Sequence, residues 1–106
     1  ERCVPLVELL RKARPQTPIV LVEDRRFTND WITPARAQFH TQNHAALKKA
    51  FDELQKRGVA HLYYIEGDAL YGTDTEGATD ASHANDLGFM RQADAFEPVL
   101  RKAIGR

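Results

Sequence analysis

An aspartate and a histidine stand three positions apart near the C-terminal end of the chain, at Asp80 and His83. At that spacing in a turn, the carboxylate can reach the near nitrogen of the imidazole, which fixes the tautomer and stabilises the ring when it accepts a proton. A histidine held in this way is the base half of a Ser-His-Asp triad. The chain's one serine, Ser82, adjoins the histidine, and neighbouring side chains diverge. The pair therefore predicts half of an active site.

An ordinary surface loop is the second interpretation of the same residues, with Asp80 supporting a turn and His83 solvated. Three features of the neighbouring sequence favour a catalytic role for the pair over this alternative. The pair follows a buried strand pattern, lies in a loop of small and acidic residues, and runs into a helix that starts near Asn85. In an open parallel sheet, reactive groups gather where such loops leave the strands.

Two strands and three helices are expected to position this pair. Residues 18–22 and 59–65 are short, mostly apolar runs, as in strands that are buried on both faces of a parallel sheet. Helical patterns cover residues 4–14 and 34–57, and a third begins near residue 86 after a long loop. The strand–helix–strand order predicts a right-handed parallel crossover, and hence an α/β fold.

Each helix carries apolar residues at helical spacing, which predict the face that it buries. These residues are Leu6, Leu9, Leu10 and Ala13 in the first helix, Phe39, Leu47, Ala50, Phe51 and Leu54 in the second, and Phe89, Ala93, Phe96, Leu100 and Ile104 in the third. Asp86 is expected to cap the third helix, and Pro98, which stands inside its pattern, is expected to kink or split it.

Composition excludes several classes of function. Fifteen basic and fifteen acidic residues cancel, so the chain lacks the positive surface of a protein that binds nucleic acid or anionic membranes. No apolar run approaches the roughly 18 residues that a membrane span needs. The single cysteine, Cys3, excludes an internal disulfide. We therefore expect neither a nucleic-acid partner nor a membrane span.

The 106 residues suffice for one small domain, yet two parallel strands alone make a poor sheet. The chain also starts at Glu1, without a methionine, and is in a helical pattern by Val4. We therefore expect it to be cut from a longer protein, whose compartment it does not reveal. The missing strands would come from an absent portion of that protein, or from a second copy that pairs through the sheet edges.

Two further clusters have the residue types of a metal site. His40 and His44 share one face of a helix, but the neighbouring turns offer no third ligand, so two exposed histidines are expected. The loop acids lack EF-hand spacing, so a solvated loop is expected rather than a Ca²⁺ site. These acids are Asp68, Asp74, Glu76, Asp80 and Asp86. His61, in the second strand, is expected to be packed and hydrogen-bonded, and we expect no metal and no cofactor.

Four residues with large or charged side chains follow the first strand at the same sheet edge as His83. They are Arg25, Arg26, Phe27 and Trp31. Arginine and aromatic side chains at this edge could contact a substrate. They could equally pack together as a lid, and the sequence favours neither interpretation.

Residues 80–89, Asp-Ala-Ser-His-Ala-Asn-Asp-Leu-Gly-Phe, resemble the C-terminal block of the SGNH/GDSL hydrolases, whose members typically end with Asp-x-x-His before a helix. Together with the 18–23 strand and the spacing of the elements, the resemblance covers nearly the whole chain. It implies a flavodoxin-like three-layer α/β/α sandwich in which His83 is the general base and Asp80 its orienting acid. It also implies hydrolysis, without metal, of a small-molecule, carbohydrate or lipid ester, often an acetyl or acyl ester.

The chain departs from that family in its nucleophile. The Gly-Asp-Ser block, the oxyanion glycine and the Gly-x-Asn-Asp block are absent, and Gly67-Asp68 is followed by Ala69 rather than serine. We therefore expect residues 1–106 to be the C-terminal portion of a serine esterase or acylhydrolase, inactive alone, that carries the Asp-His half of the triad. The alternative is a non-catalytic α/β module that binds a partner through its sheet edges.

Overall fold

The computed structural model describes residues 2–106 of the chain. Over that range the elements follow the predicted order, with one short 3₁₀ helix added before the central helix. The elements are α1 (Cys3–Ala13), β1 (Ile19–Val22), the 3₁₀ helix (Asp30–Ile32), α2 (Pro34–Lys56), β2 (Leu62–Ile65) and α3 (Asp86–Ala103). The expected α/β class is confirmed.

The two strands pair in parallel, with Ile19 opposite Leu62 and Val22 opposite Ile65. Helix α2 is the crossover between them, because it lies between β1 and β2 in the chain. Both strands therefore end at the same edge of the sheet. Two loops leave that edge, residues 23–29 after β1 and residues 66–85 after β2, and they carry the candidate site.

Helices cover both faces of this sheet. Successive side chains of a strand point to opposite faces. On one face, Tyr64 of β2 packs against Phe51 of α2, with ring centroids 4.9 Å apart. On the other face, Ile65 joins a core with Leu70 and Tyr71. The α3 residues that pack against this second core are Ala95, Phe96 and Val99. The arrangement is three layers, helix on sheet on helix.

The predicted buried faces of α1 and α3 are largely wrong. Leu9 of α1 is 65% exposed and Phe89 of α3 is 64% exposed, and Leu6, Leu10, Leu100 and Ile104 are exposed too. Val7 is the buried residue of α1. In α2, Phe51 and Leu54 are buried as expected, but Phe39 is exposed. Helix α1 packs against α2 and helix α3 packs against the sheet, and these contacts leave much of each apolar face uncovered.

Helix α3 begins and continues differently from the expectation. Its N-cap is Asn85, not Asp86, and the Asn85 side chain accepts a hydrogen bond from the backbone N–H of Gly88 at 3.0 Å. The helix also runs unbroken through Pro98 rather than splitting there. Pro98 and Asp94, whose carbonyl the proline leaves without a donor, both lie on the exposed side, where water can satisfy that carbonyl. Among residues 2–106, no helix combines the length and the apolarity that crossing a membrane requires.

Candidate active site

The imidazole of His83 is hydrogen-bonded to the carboxylate of Asp80. Nδ1 of His83 donates to Oδ2 of Asp80 at 2.7 Å. Oδ1 of the same carboxylate accepts the backbone N–H groups of His83 at 2.8 Å and of Ser82 at 3.0 Å. Because a carboxylate only accepts, the proton of the neutral ring lies on Nδ1, which leaves Nε2 as a proton acceptor. The His83 side chain is 82% exposed, so Nε2 is accessible from outside the chain.

Hydrogen bonding favours the ionised form of Asp80. The backbone N–H of His83, its side chain and the backbone N–H of Ser82 together hold the pKa of the Asp80 carboxyl well below its usual range. The carboxylate is therefore ionised at neutral pH. It is placed to orient the ring and to stabilise the imidazolium that forms when Nε2 accepts a proton.

The loop around the pair is closed at its base by backbone contacts. Ala78 and Ala84 form an isolated antiparallel bridge, and the backbone N–H of Thr79 donates to the His83 carbonyl at 2.9 Å. At the tip of the loop, Ala81 adopts a positive φ of 70°. This turn lets the Asp80 carboxylate fold back over the two following N–H groups. The Asp-His contact is thus built locally, by four consecutive residues.

Gly88 lets the start of α3 approach the loop closely. A Cβ at this position would lie 2.0 Å from the carbonyl oxygen of Gly77 and 3.1 Å from the Cβ of Ala84. The same Gly77 carbonyl accepts the backbone N–H of Asn85 at 3.2 Å. The glycine at the end of the Asp-Ala-Ser-His-Ala-Asn-Asp-Leu-Gly run therefore has a packing reason, since any side chain would push α3 away from the loop.

The loop after β1 contacts the loop of His83. Nε of Arg25 donates to the carbonyl oxygen of Ser82 at 3.1 Å, and Nη2 donates to Oγ of Ser82 at 2.5 Å. The Tyr71 hydroxyl also donates to the Ser82 carbonyl, at 2.8 Å. The backbone N–H of Thr28 donates to the Ala81 carbonyl at 3.0 Å. The sequence predicts that both loops lie at one edge of the sheet, but it does not predict these contacts. The shared edge is the one feature of the sequence pattern that points to them.

The other residues expected beside His83 have different surroundings. Arg26 binds Asp68 through Nε at 2.5 Å and reaches the hydroxyl of Thr41 at 3.2 Å. The ring of Phe27 meets the ring of His40 edge-on, with centroids 4.7 Å apart. Arg26 and Phe27 are thus engaged with other parts of the chain. Trp31, in the 3₁₀ helix, is 76% exposed.

His40 and His44 are buried, so their expected exposure is wrong. His40 is 1% exposed, and its Nδ1 donates to Oδ2 of Asp30 at 2.8 Å. His44 donates through Nε2 to the carbonyl oxygen of Asp24 at 2.6 Å, and its Nδ1 lies 3.2 Å from Oε2 of Glu23. The loop after β1 folds over α2, which a helical pattern alone does not reveal. The two histidines therefore clamp that loop onto α2.

Two of the five acidic residues of the long loop are paired with arginines. Arg91 binds both carboxylate oxygens of Asp74, at 2.7 Å and 2.5 Å, and holds the pKa of that carboxyl well below its usual range. Asp68 pairs with Arg26. Within residues 2–106, no group of three or more histidine, cysteine or acidic side chains is arranged to hold a metal.

A buried carboxylate anchors the strand ends beneath the site. Oε2 of Glu23 accepts the backbone N–H of Gly67 at 2.8 Å, and Oε1 accepts the hydroxyl of Tyr64. Burial, together with the hydrogen bond to Glu23, raises the pKa of Tyr64. His61, by contrast, is neither in the strand nor packed. It is exposed at a positive φ of 53° just before β2, so its expected burial is wrong.

The histidine and its carboxylate lie on a loop beyond the strand ends of an α/β sheet with helices on both faces, where open sheets of this kind place their functional groups. Residues 1–101 match the sequence model of the GDSL-like Lipase/Acylhydrolase family. The chain belongs to that family, which confirms the resemblance carried by residues 80–89.

Two solved structures are similar to the chain. A protein of Bacteroides ovatus ATCC 8483, named a GDSL-like lipase, has a TM-score of 0.89 at 30% identity, over 96% of this chain and 30% of that chain. The salicylyl-acyltransferase SsfX3 from a tetracycline biosynthetic pathway has a TM-score of 0.70 at 20% identity, over 96% of this chain and 31% of that chain, and shows the fold alone. The chain thus spans about 30% of the length of the first. No curated protein sequence matches it significantly.

Proposed function

We propose that this chain carries the histidine and aspartate of the catalytic triad of an SGNH-type serine esterase. His83 is the general base, and Asp80 holds its ring. The observation that supports this most strongly is the 2.7 Å hydrogen bond from Nδ1 of His83 to Asp80, which leaves Nε2 free to accept a proton. Membership of the GDSL-like lipase/acylhydrolase family supports ester hydrolysis as the reaction.

In the proposed reaction, a serine hydroxyl from outside residues 1–106 attacks the ester carbonyl while Nε2 of His83 takes its proton. The Asp80 carboxylate stabilises the imidazolium. The imidazolium then gives the proton to the departing alcohol oxygen as the acyl–serine ester forms. Water repeats the sequence, losing a proton to Nε2 while it attacks the acyl group, and the serine oxygen recovers that proton as the acid leaves.

We propose further that residues 1–106 are the C-terminal portion of a longer domain whose upstream part supplies the nucleophile. Two observations support this. The 82% exposure of His83 leaves it on an open surface, without the second wall of a substrate cleft. The apolar faces of α1 and α3 are exposed where further strands or helices would cover them. Alone, the chain is expected to have no esterase activity and to self-associate, and a monomeric, active preparation would contradict both expectations.

The substrate that we propose is a small-molecule, carbohydrate or lipid ester. Trp31 is the candidate for direct substrate contact, because its ring is exposed in the 3₁₀ helix that follows the loop in contact with the loop of His83. Arg25, Arg26 and Phe27 would act from the same edge. Their side chains already make contacts within the chain, which supports a role in shaping this edge of the site.

The test is the substitution His83→Ala in the protein that contains this chain and its upstream residues. General-base catalysis contributes about 10²- to 10⁴-fold, so kcat for p-nitrophenyl acetate is expected to fall at least about 100-fold. The matched control is His61→Asn, at an exposed histidine whose positive φ asparagine tolerates. That variant is expected to keep the wild-type kcat. A His83→Ala enzyme with wild-type turnover would end the proposal.

A non-catalytic module that binds a partner remains the second candidate, and one observation favours it. Leu6, Leu9 and Leu10 form an exposed apolar face on α1, of the kind that marks a protein interface. The reading frame upstream of the chain separates the two candidates. A Gly-Asp-Ser block there supports the esterase, and its absence supports the binding module.

A further inference from the structure

The geometry points to Arg25 as a positioning residue that holds the loop of His83 in its productive conformation by gripping Ser82. This inference rests on the proposed function, because it concerns the same general base. Arg25 touches neither His83 nor Asp80 directly. It acts through the residue between them, which also supplies one of the N–H groups bound by the Asp80 carboxylate.

The guanidinium of Arg25 binds Ser82 at two atoms. Nε donates to the carbonyl oxygen at 3.1 Å and Nη2 donates to the hydroxyl oxygen at 2.5 Å. Two donors in one rigid plane fix the orientation of the group that they bind, not merely its distance. Because Ser82 directly precedes His83, its orientation sets the direction in which the imidazole leaves the backbone.

Arg25 is itself held on two sides. Its Nη1 forms an ion pair with the carboxylate of Asp24, and its guanidinium stacks on the ring of Phe27, with Cζ 4.8 Å from the ring centroid. The backbone carbonyl of Asp24 is bound by the buried His44. The grip on Ser82 is therefore connected to α2 rather than to a free surface side chain.

The loop of His83 needs such a support because its own side chains are solvated. Asp80 and His83 are mostly exposed, and the turn between them passes through Ala81 at a positive φ. The Nδ1 hydrogen bond to Asp80 holds the imidazole on one side, and the rest of the ring is open to solvent. Catalysis is sensitive to such errors, since a displacement of about 1 Å can cost about 100-fold in rate.

The test compares Arg25→Ala with Arg36→Ala. Arg36 stacks on the same Phe27 ring, with Cζ 5.1 Å from the centroid, so Arg36→Ala removes an arginine from that ring without touching the grip on Ser82. In ¹⁵N NMR spectra of the longer protein that contains this chain, the neutral His83 ring of the wild type and of Arg36→Ala is expected in the Nδ1–H form. Arg25→Ala is expected to show a mixture of both tautomers. A wild-type His83 signal in Arg25→Ala, or equal changes in both variants, would overturn the inference.

Turnover supplies the second measurement, in the esterase that contains this chain. Arg25→Ala is expected to lower kcat about 10- to 100-fold, with KM within about twofold of the wild type, because a positioning residue acts on the general base rather than on substrate binding. Arg25→Lys, which offers no second donor in the plane, is expected to recover only part of the loss. Full recovery by lysine would contradict a two-atom grip.

Two further variants keep the result decisive. Ser82→Ala removes the hydroxyl contact but not the carbonyl contact, so a loss of about threefold is expected even if Arg25→Ala folds poorly. His83→Ala separates the two claims. Wild-type turnover in Arg25→Ala, with turnover lost in His83→Ala, overturns the role of Arg25 alone. Turnover retained in His83→Ala overturns the proposed function, and the tautomer spectra still decide whether Arg25 orients the ring.

Discussion

Gly88 lies in the first turn of α3, where the helix backbone passes the loop that carries Asp80 and His83. Replacing Gly88 by alanine has two opposite effects on stability. Helix propensity favours alanine over glycine by up to about 1 kcal/mol. Packing opposes it, because the new Cβ would lie 2.0 Å from the Gly77 carbonyl oxygen, a backbone atom that cannot rotate away.

The packing effect is the larger. Overpacking in a tightly packed region costs about 1–3 kcal/mol, and a contact with backbone belongs at the upper end of that range. Moving α3 away would also break the hydrogen bond from the Asn85 N–H to the Gly77 carbonyl, which contributes about 1 kcal/mol. After the gain in propensity, Gly88→Ala is expected to lower the free energy of unfolding by about 3 kcal/mol.

Urea unfolding followed by far-UV circular dichroism measures this change. Circular dichroism is the better probe, because Trp31 is 76% exposed and its fluorescence would respond weakly to unfolding. The matched control is Ala93→Gly, at an exposed position of the same helix, which propensity alone destabilises by about 1 kcal/mol. Alanine is thus expected to be worse than glycine at 88 and better at 93. A Gly88→Ala chain as stable as the wild type would refute the reasoning.

Three further predictions follow from the contacts around the site. Gly67→Ala is expected to cost about 2–3 kcal/mol in urea unfolding, because its Cβ would lie 2.1 Å from the Asp24 carbonyl oxygen. The pKa of the Asp80 carboxyl, followed by ¹³C NMR, is expected to lie well below 3.8, the ordinary value of an aspartate. The hydrogen bonds to the Asp80 carboxylate therefore contribute stability that is fully present above pH 3.8 and is lost as the pH falls through the folded-state pKa. His83→Ala is expected to raise the pKa of Asp80 only part of the way to its ordinary value, because the backbone N–H groups remain. His40→Ala is expected to cost about 3 kcal/mol, since it opens a cavity and removes the hydrogen bond that the imidazole donates to the partly buried Asp30 carboxylate.

Local patterns predicted the elements of the fold better than their packing. The continuous apolar runs identified both strands, and the strand–helix–strand order identified their parallel pairing. The predicted burial of Leu9 and Phe89 is wrong, because spacing says which residues share a helix face and not what packs against that face. The predicted N-cap of α3 is wrong by one residue, since Asn85 caps the helix in place of Asp86. Both residue types are suitable caps, so the sequence does not distinguish them.

Contacts between residues close in sequence could be predicted, and contacts between distant residues could not. Asp80 and His83 are three residues apart, so their contact follows from a single turn. The contact of Arg25 with Ser82 joins residues 57 positions apart and depends on how two loops meet at the sheet edge. The burial of His40 depends likewise on a loop that folds over α2. No local pattern contains that information.

The proton on His83 tests the central claim most directly. If the Asp80 carboxylate holds the ring and leaves Nε2 as the base, ¹⁵N NMR of the neutral His83 ring, in the protein that contains this chain, will show the proton on Nδ1 and a bare Nε2. Asp80→Ala, which removes the acceptor, will then shift the ring toward the Nε2–H form. A wild-type ring that carries its proton on Nε2, or a tautomer unaffected by Asp80→Ala, would contradict the account.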